Sequence, residues 1–173
     1  MSLRPALLLV AVALLATGCR AARERRLERR LDRVSDGSDA TATVRDSARY
    51  LTPFGAPTRP FSPAVRVGNL IYLSGQIGTA DPSANASTLV PGGIEAETRA
   101  TLENIRTTLL AVGSSMDKVI KCTVMMADMK EWDRMNAVYR TYFAPGRLPA
   151  RSALGANGLA LGARVEIECI ATA

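Results

Sequence analysis

The chain has 173 residues, with 22 lysines and arginines, 16 acids and no histidine. That length fits one domain with a real core plus extra segments. Residues 51–173 hold 12 basic and 10 acidic side chains, so most of the formal +6 charge lies in the N-terminal 50 residues. A nucleic-acid-binding domain concentrates base on its folded face, and this distribution excludes that class of partner. No cluster of cysteine and histidine offers a zinc site, and no glycine-rich loop has the spacing of a phosphate cradle. No metal and no cofactor are therefore expected.

Residues 1–19 read as a signal peptide. Arg4 gives a small positive start, and Ala6 to Ala16 form an apolar run of about eleven residues, too short for a comfortable transmembrane helix. The run ends in Leu15-Ala16-Thr17-Gly18-Cys19, which resembles a bacterial lipobox with Cys19 as the lipidated residue. That resemblance implies a membrane partner through a lipid anchor, and a location in the bacterial cell envelope, on its periplasmic side or at the cell surface. The alternatives are an ordinary signal peptide with an incidental cysteine, or an uncleaved anchor. Residues 20–55 read as a charged helical tether and linker. Leu27, Leu31 and Val34 make one narrow helical stripe among interleaved arginines and acids. Pro53, Pro57, Pro60 and Pro63 then interrupt regular structure up to Ala64.

From Ala64 onward the pattern is that of a folded domain. Ala64–Val67 and Leu70–Ser74 flank Gly68-Asn69 and predict a β-hairpin. Ser74-Gly75-Gln76-Ile77-Gly78 ends it. Ile94 to Val112 predicts a helix, with Leu102, Ile105, Leu109 and Val112 on one face and Gly113 as its stop. Val119 to Met126 reads as a strand, with Lys121 and Thr123 on one face and Cys122 and Val124 on the other. Asp128 and Glu131 have capping-box spacing and open a second helix to about Phe143, whose apolar side includes Trp132, Met135 and Tyr139. Those aromatics read as core. Ser152 to Ala156 predicts a short strand and Val165 to Thr172 a final one. The order β-β-α-β-α-β-β gives an α+β two-layer sandwich, two helices on one face of a mixed sheet. The other face would carry Lys121, Thr123, Glu166 and Glu168. Cys122 and Cys169 read as two buried thiols, and an oxidising compartment would permit a disulfide between them.

Without histidine, acid–base chemistry falls to a guanidinium and a carboxylate that could meet. The candidates are Arg151, on the stiffened Leu148-Pro149-Ala150-Arg151-Ser152 turn, and the Glu166/Glu168 pair. For Arg151 the plainer reading is a structural ion pair, with Glu168 as the candidate partner. For Glu166 it is a solvated strand carboxylate.

Several separated motifs resemble one family in order and spacing. They are Gly68 to Ile77, the turn from Gly113 to Val119, Asn136, Pro149-Ala150-Arg151-Ser152, and Val165-Glu166-Ile167-Glu168. Over residues 56–173 the chain resembles the RidA family (YjgF/YER057c/UK114). The resemblance implies a chorismate-mutase-like fold whose sheets form a homotrimeric barrel with clefts between subunits. It implies hydrolysis of reactive 2-imino acids to 2-oxo acids and ammonia, with Arg151 clamping the carboxylate and Glu166 orienting water. Substrate would also meet Phe61, Ser74, Gly75, Asn136 and Ala153, with Gln76 completing the Ser74-Gly75-Gln76 turn. Two positions depart from the pattern: Ala153 stands where many members carry cysteine, and Phe61 where many carry tyrosine. The alternative function is a non-catalytic trimeric module, either binding small carboxylates or chaperone-like.

Overall fold

The computed structural model describes residues 47–55, 59–82 and 88–173. The signal-peptide pattern, Cys19 and the helical stripe of the tether lie outside the described residues. The compact unit runs from Ser47 to Ala173, so folded structure begins ahead of the boundary at residue 56.

Its strands and helices are β1 (Arg49–Leu51), β2 (Ala64–Val67), β3 (Leu70–Leu73), β4 (Gln76–Ile77), α1 (Gly93–Ala111), β5 (Val119–Met126), α2 (Trp132–Tyr139), β6 (Ala150–Gly155) and β7 (Val165–Thr172). The strands form one seven-stranded sheet in the order β1-β2-β3-β7-β5-β6, with β4 also paired to β7. Only β5 and β6 run parallel, so the sheet is mixed. Two short strands, β1 and β4, extend the expected order, and β6 begins at Ala150 rather than Ser152.

Alternation decides which face each strand buries. In β7, Val165, Ile167, Cys169 and Ala171 are buried, and in β5 Cys122, Val124 and Met126 are. They share one core with Ile94, Leu102, Ile105 and Leu109 of α1 and Met135 and Tyr139 of α2. Each fully buried aliphatic side chain contributes about 1.5–3 kcal/mol. Both helices therefore lie on one face, and Lys121, Thr123, Glu166 and Glu168 share the other, as alternation predicts.

α1 is more polar inside than a purely apolar stripe would be. Thr98, Thr101, Asn104 and Thr108 are buried along it. The Asn104 amide donates to the Ile77 carbonyl at 3.0 Å, to the Thr79 carbonyl at 3.1 Å and to the Thr79 hydroxyl at 3.2 Å. The helix stops at Gly113, whose φ of 83° is costly for residues with a Cβ. The Ser114 N–H then closes the end on the Leu109 carbonyl at 2.8 Å.

The capping expectation is half met. Asp128 accepts from the Lys130 N–H at 2.9 Å, but Glu131 does not reach back to complete a box. Its carboxylate accepts instead from Arg164 at 2.8 Å. Glu97, buried in α1, accepts from the Arg164 backbone N–H at 2.8 Å. Arg164 thus ties α1, α2 and the start of β7 together.

The two cysteines are not free thiols. The antiparallel register places Cys122 opposite Cys169 with both side chains on the helix face and Cα atoms 4.1 Å apart, and the sulfurs are joined as a disulfide. The two lie 47 residues apart in sequence, and the strand register brings them into bonding geometry.

Candidate active site

Arg151 sits on β6, the edge strand next to β5, in register with Cys122. Cys122 faces the helices, and Arg151 points the same way, beneath α2. Its Nη1 donates to the Asn136 side-chain oxygen at 2.9 Å. Its guanidinium carbon lies 4.9 Å from the Trp132 ring centre and 4.6 Å from that of Tyr139. Both distances suit attraction between a cation and an aromatic face. Among the described residues no carboxylate lies within ion-pair reach of Arg151. The ion pair with Glu168 does not form, because Glu168 occupies the opposite face of the sheet.

Glu166 belongs to a second cluster on that opposite face. It lies beside Ile77 of β4 and Met125 of β5. Its carboxylate fills the space over Gly75, where a Cβ would come 2.0 Å from the Glu166 Oε1. Ser74 donates its hydroxyl to the Ser62 carbonyl at 2.7 Å, and its N–H bonds the Pro63 carbonyl at 3.1 Å. These bonds tie the segment after Phe61 to the Gly75 turn, while Gln76 donates back to the Ser74 carbonyl at 3.2 Å. Phe61 itself is exposed.

Burial raises the Glu166 carboxyl above the ordinary carboxylate range, and the like charge of Glu168 pushes the same way. A carboxyl raised on folding favours the folded state below its unfolded pKa. That contribution is lost as pH rises through the folded value. Burial also pushes the Tyr139 phenol up to about 12, partly opposed by Arg151, so this group remains neutral near pH 7.

The sequence-predicted residues thus fall into two groups on opposite faces of the same sheet. Arg151 and Asn136 meet on the helix face, and Ala153 follows two residues along β6, partly buried against the core. Ser74, Gly75 and Glu166 meet at the other. A single chain does not bring the guanidinium and the carboxylate onto one face. Trp132 and Tyr139, read as core from their apolar spacing, do pack in and against the core, and they also set their rings against Arg151. The signal that could have identified them is Asn136 between them, a polar residue completing the i, i+4, i+7 stripe.

The sequence and the fold have parallels among known proteins. Residues 54–173 match the family described as Endoribonuclease L-PSP. A mouse (Mus musculus) protein named 2-iminobutanoate/2-iminopropanoate deaminase is 46% identical over 112 residues, covering 65% of this chain and 80% of that protein. The crystal structure of the yeast protein YEO7 aligns with a TM-score of 0.65 at 34% identity, covering 72% of this chain and 98% of that one. The RidA structure from an Antarctic Psychrobacter aligns with a TM-score of 0.63 at 31% identity, covering 72% and 98%. The chain belongs to the Endoribonuclease L-PSP family, the RidA/YjgF family of the sequence resemblance.

The relatives also correct the expected location. A Schizosaccharomyces pombe relative, 37% identical over 65% of this chain and 86% of its own length, is named a mitochondrial protein. An Arabidopsis thaliana relative, 37% identical over 65% of this chain and 58% of its own length, is a chloroplastic Reactive Intermediate Deaminase A. These addresses overturn the cell-envelope, lipid-anchored reading. That reading rested on a short apolar run ending in a lipobox-like Leu15-Ala16-Thr17-Gly18-Cys19, a local sequence signal that short targeting segments share. No helix among the described residues is long and apolar enough to cross a membrane.

Proposed function

We propose that this chain hydrolyses 2-imino acids to 2-oxo acids and ammonia, in a site completed by a second copy of itself within a homotrimer. The observation that carries the reading is the Arg151 guanidinium, held by Trp132, Asn136 and Tyr139 with no neutralising carboxylate among the described residues. The name of the mouse relative supports the reaction class. A planar guanidinium binds the carboxylate of a 2-imino acid through two parallel charge-assisted hydrogen bonds. That fixes the C=N carbon for attack. Glu166, from the neighbouring copy, accepts a proton from water as its oxygen bonds to that carbon. The proton returned by Glu166 and the proton of the adduct's new hydroxyl both pass to the nitrogen, the C=O bond forms as the C–N bond breaks, and ammonia leaves. Water enters and ammonia departs, so the reaction balances without electron transfer. Positioning supplies most of the acceleration.

The family description names an endoribonuclease. Acid–base catalysis most often employs histidine, and this chain has none. The imine reading therefore fits its residues better.

The direct test generates 2-iminopropanoate or 2-iminobutanoate in situ and follows its loss. Wild-type protein is expected to accelerate decay over buffer. Arg151→Ala and Glu166→Gln are each expected to lower kcat/KM on the order of 10²-fold. Arg151→Lys should fall between wild type and Arg151→Ala, since lysine keeps the charge and loses the fork. If wild-type protein binds pyruvate while imine decays only at the buffer rate, the chain is a carboxylate-binding module rather than an enzyme.

A pH profile isolates the carboxylate. The acid limb of kcat/KM is expected above the ordinary carboxylate range, because Glu166 must be ionised to take a proton. Glu168→Gln removes the like charge and is expected to move that limb to lower pH. A limb that stays in place would assign it to another group.

A further inference from the structure

Trp132, Asn136 and Tyr139 follow one another at i, i+4 and i+7 on α2, along a single stripe of the helix. All three meet Arg151: two present rings to the guanidinium and one accepts from Nη1. An arginine has five N–H donors in a planar fork, and the Nη1–Asn136 bond takes one of them. Among the described residues, Nε and Nη2 make no hydrogen bond and meet no carboxylate. The Tyr139 hydroxyl is buried and has no hydrogen-bond partner, so its ring is what it offers Arg151.

We propose that Trp132, Asn136 and Tyr139 are positioning residues that lock the Arg151 guanidinium, leaving its Nε–Nη2 edge as the docking edge for the substrate carboxylate. The inference deepens the reading of Arg151 as a carboxylate clamp and rests on it. An unrestrained arginine must surrender rotamer freedom on each binding event, and a side chain held in advance surrenders less. Aromatic faces are suited to this. They attract the cation without filling its hydrogen-bond donors, whereas a carboxylate partner would occupy the fork and cancel the charge. Asn136 adds the in-plane constraint that the rings lack. The α2 stripe therefore holds the guanidinium while its Nε–Nη2 edge stays free of hydrogen bonds among the described residues.

The test uses the full chain with pyruvate as probe. Trp132 is the only tryptophan, so its emission reports on the cation beside it. Pyruvate is expected to change that emission saturably in wild type and not in Arg151→Ala. Trp132→Leu and Tyr139→Leu are each expected to weaken pyruvate binding by calorimetry and raise KM for imine about tenfold, with kcat little changed. Trp132→Phe and Tyr139→Phe keep a ring and are expected to stay within about twofold of wild type. Folded leucine variants that keep the wild-type KM would overturn the proposal. So would a Tyr139→Phe loss as large as that of Tyr139→Leu, because it would assign the role to the hydroxyl. If the leucine variants fail to fold, the wild-type emission titration still decides: calorimetric binding of pyruvate without any change in Trp132 emission overturns the lock. Wild-type protein that neither binds pyruvate nor turns over imine would defeat the clamp reading itself. Turnover with unchanged KM in the leucine variants defeats only the lock.

Discussion

Two inactive variants are expected to restore activity when combined. Arg151→Ala lacks the clamp and Glu166→Gln lacks the base, yet the two residues occupy opposite faces of one sheet. In the proposed ring of three copies, each site takes Arg151 from one copy and Glu166 from the next. Random one-to-one mixing then leaves about one site in four with both groups intact, and activity should return to about a quarter of the wild-type value per chain. Co-expression or joint refolding allows the copies to mix, and imine loss is the readout. A mixture as inactive as its parents would place both groups of each site in the same chain. It would also remove the physical reason for proposing a subunit cleft.

Gly75→Ala is expected to lower kcat on the order of 10²-fold, while fold and 2-oxo acid binding are retained. The added methyl would stand 2.0 Å from Glu166 Oε1 and 2.9 Å from its Cδ, so the carboxylate must move away. The backbone at Gly75 does not have a positive φ, and alanine adopts it without the strain expected at Gly113. The variant thus moves the base while leaving the Arg151 cluster on the other face in place. Steady-state kinetics, calorimetry with pyruvate and a thermal melt together separate displacement from unfolding. An unchanged kcat would show that the observed Glu166 placement is not the working one. A collapse of the thermal midpoint would instead make Gly75 a structural requirement.

The sequence pattern was most legible where each residue's position depends on its neighbours. Strands β2, β5 and β7 have the bounds that the sequence pattern predicts, and β3 stops one residue short of Ser74. The short strands escaped because three residues at Arg49–Leu51 and two at Gln76–Ile77 carry too little alternation to register. They exist because β2 and β7 offer free edges beside them. The Cys122–Cys169 bond and the absence of an Arg151–Glu168 pair share a cause: which side chains face each other across a sheet is a long-range property. Strand parity already placed Glu166 and Glu168 on one face. What it could not supply was the face of Arg151, because β6 is an edge strand that covers only part of the core. The aromatic character of Trp132 and Tyr139 suits core and cation alike, and only their distance from Arg151 separates the two.

Asn104 gives α1 something that apolar packing does not: an axial stop. A smooth hydrophobic face could slide along the sheet or rotate by part of a turn at modest cost, trading one set of contacts for another. The amide gripping the Ile77 and Thr79 carbonyls has no equivalent one turn away. Sliding would strand a buried polar group, which makes intermediate positions unfavourable. The same carbonyls belong to the chain that continues from Gly75 into β4. The helix thus works as a detent for the turn beneath Glu166, converting a continuous packing surface into one with a single resting place.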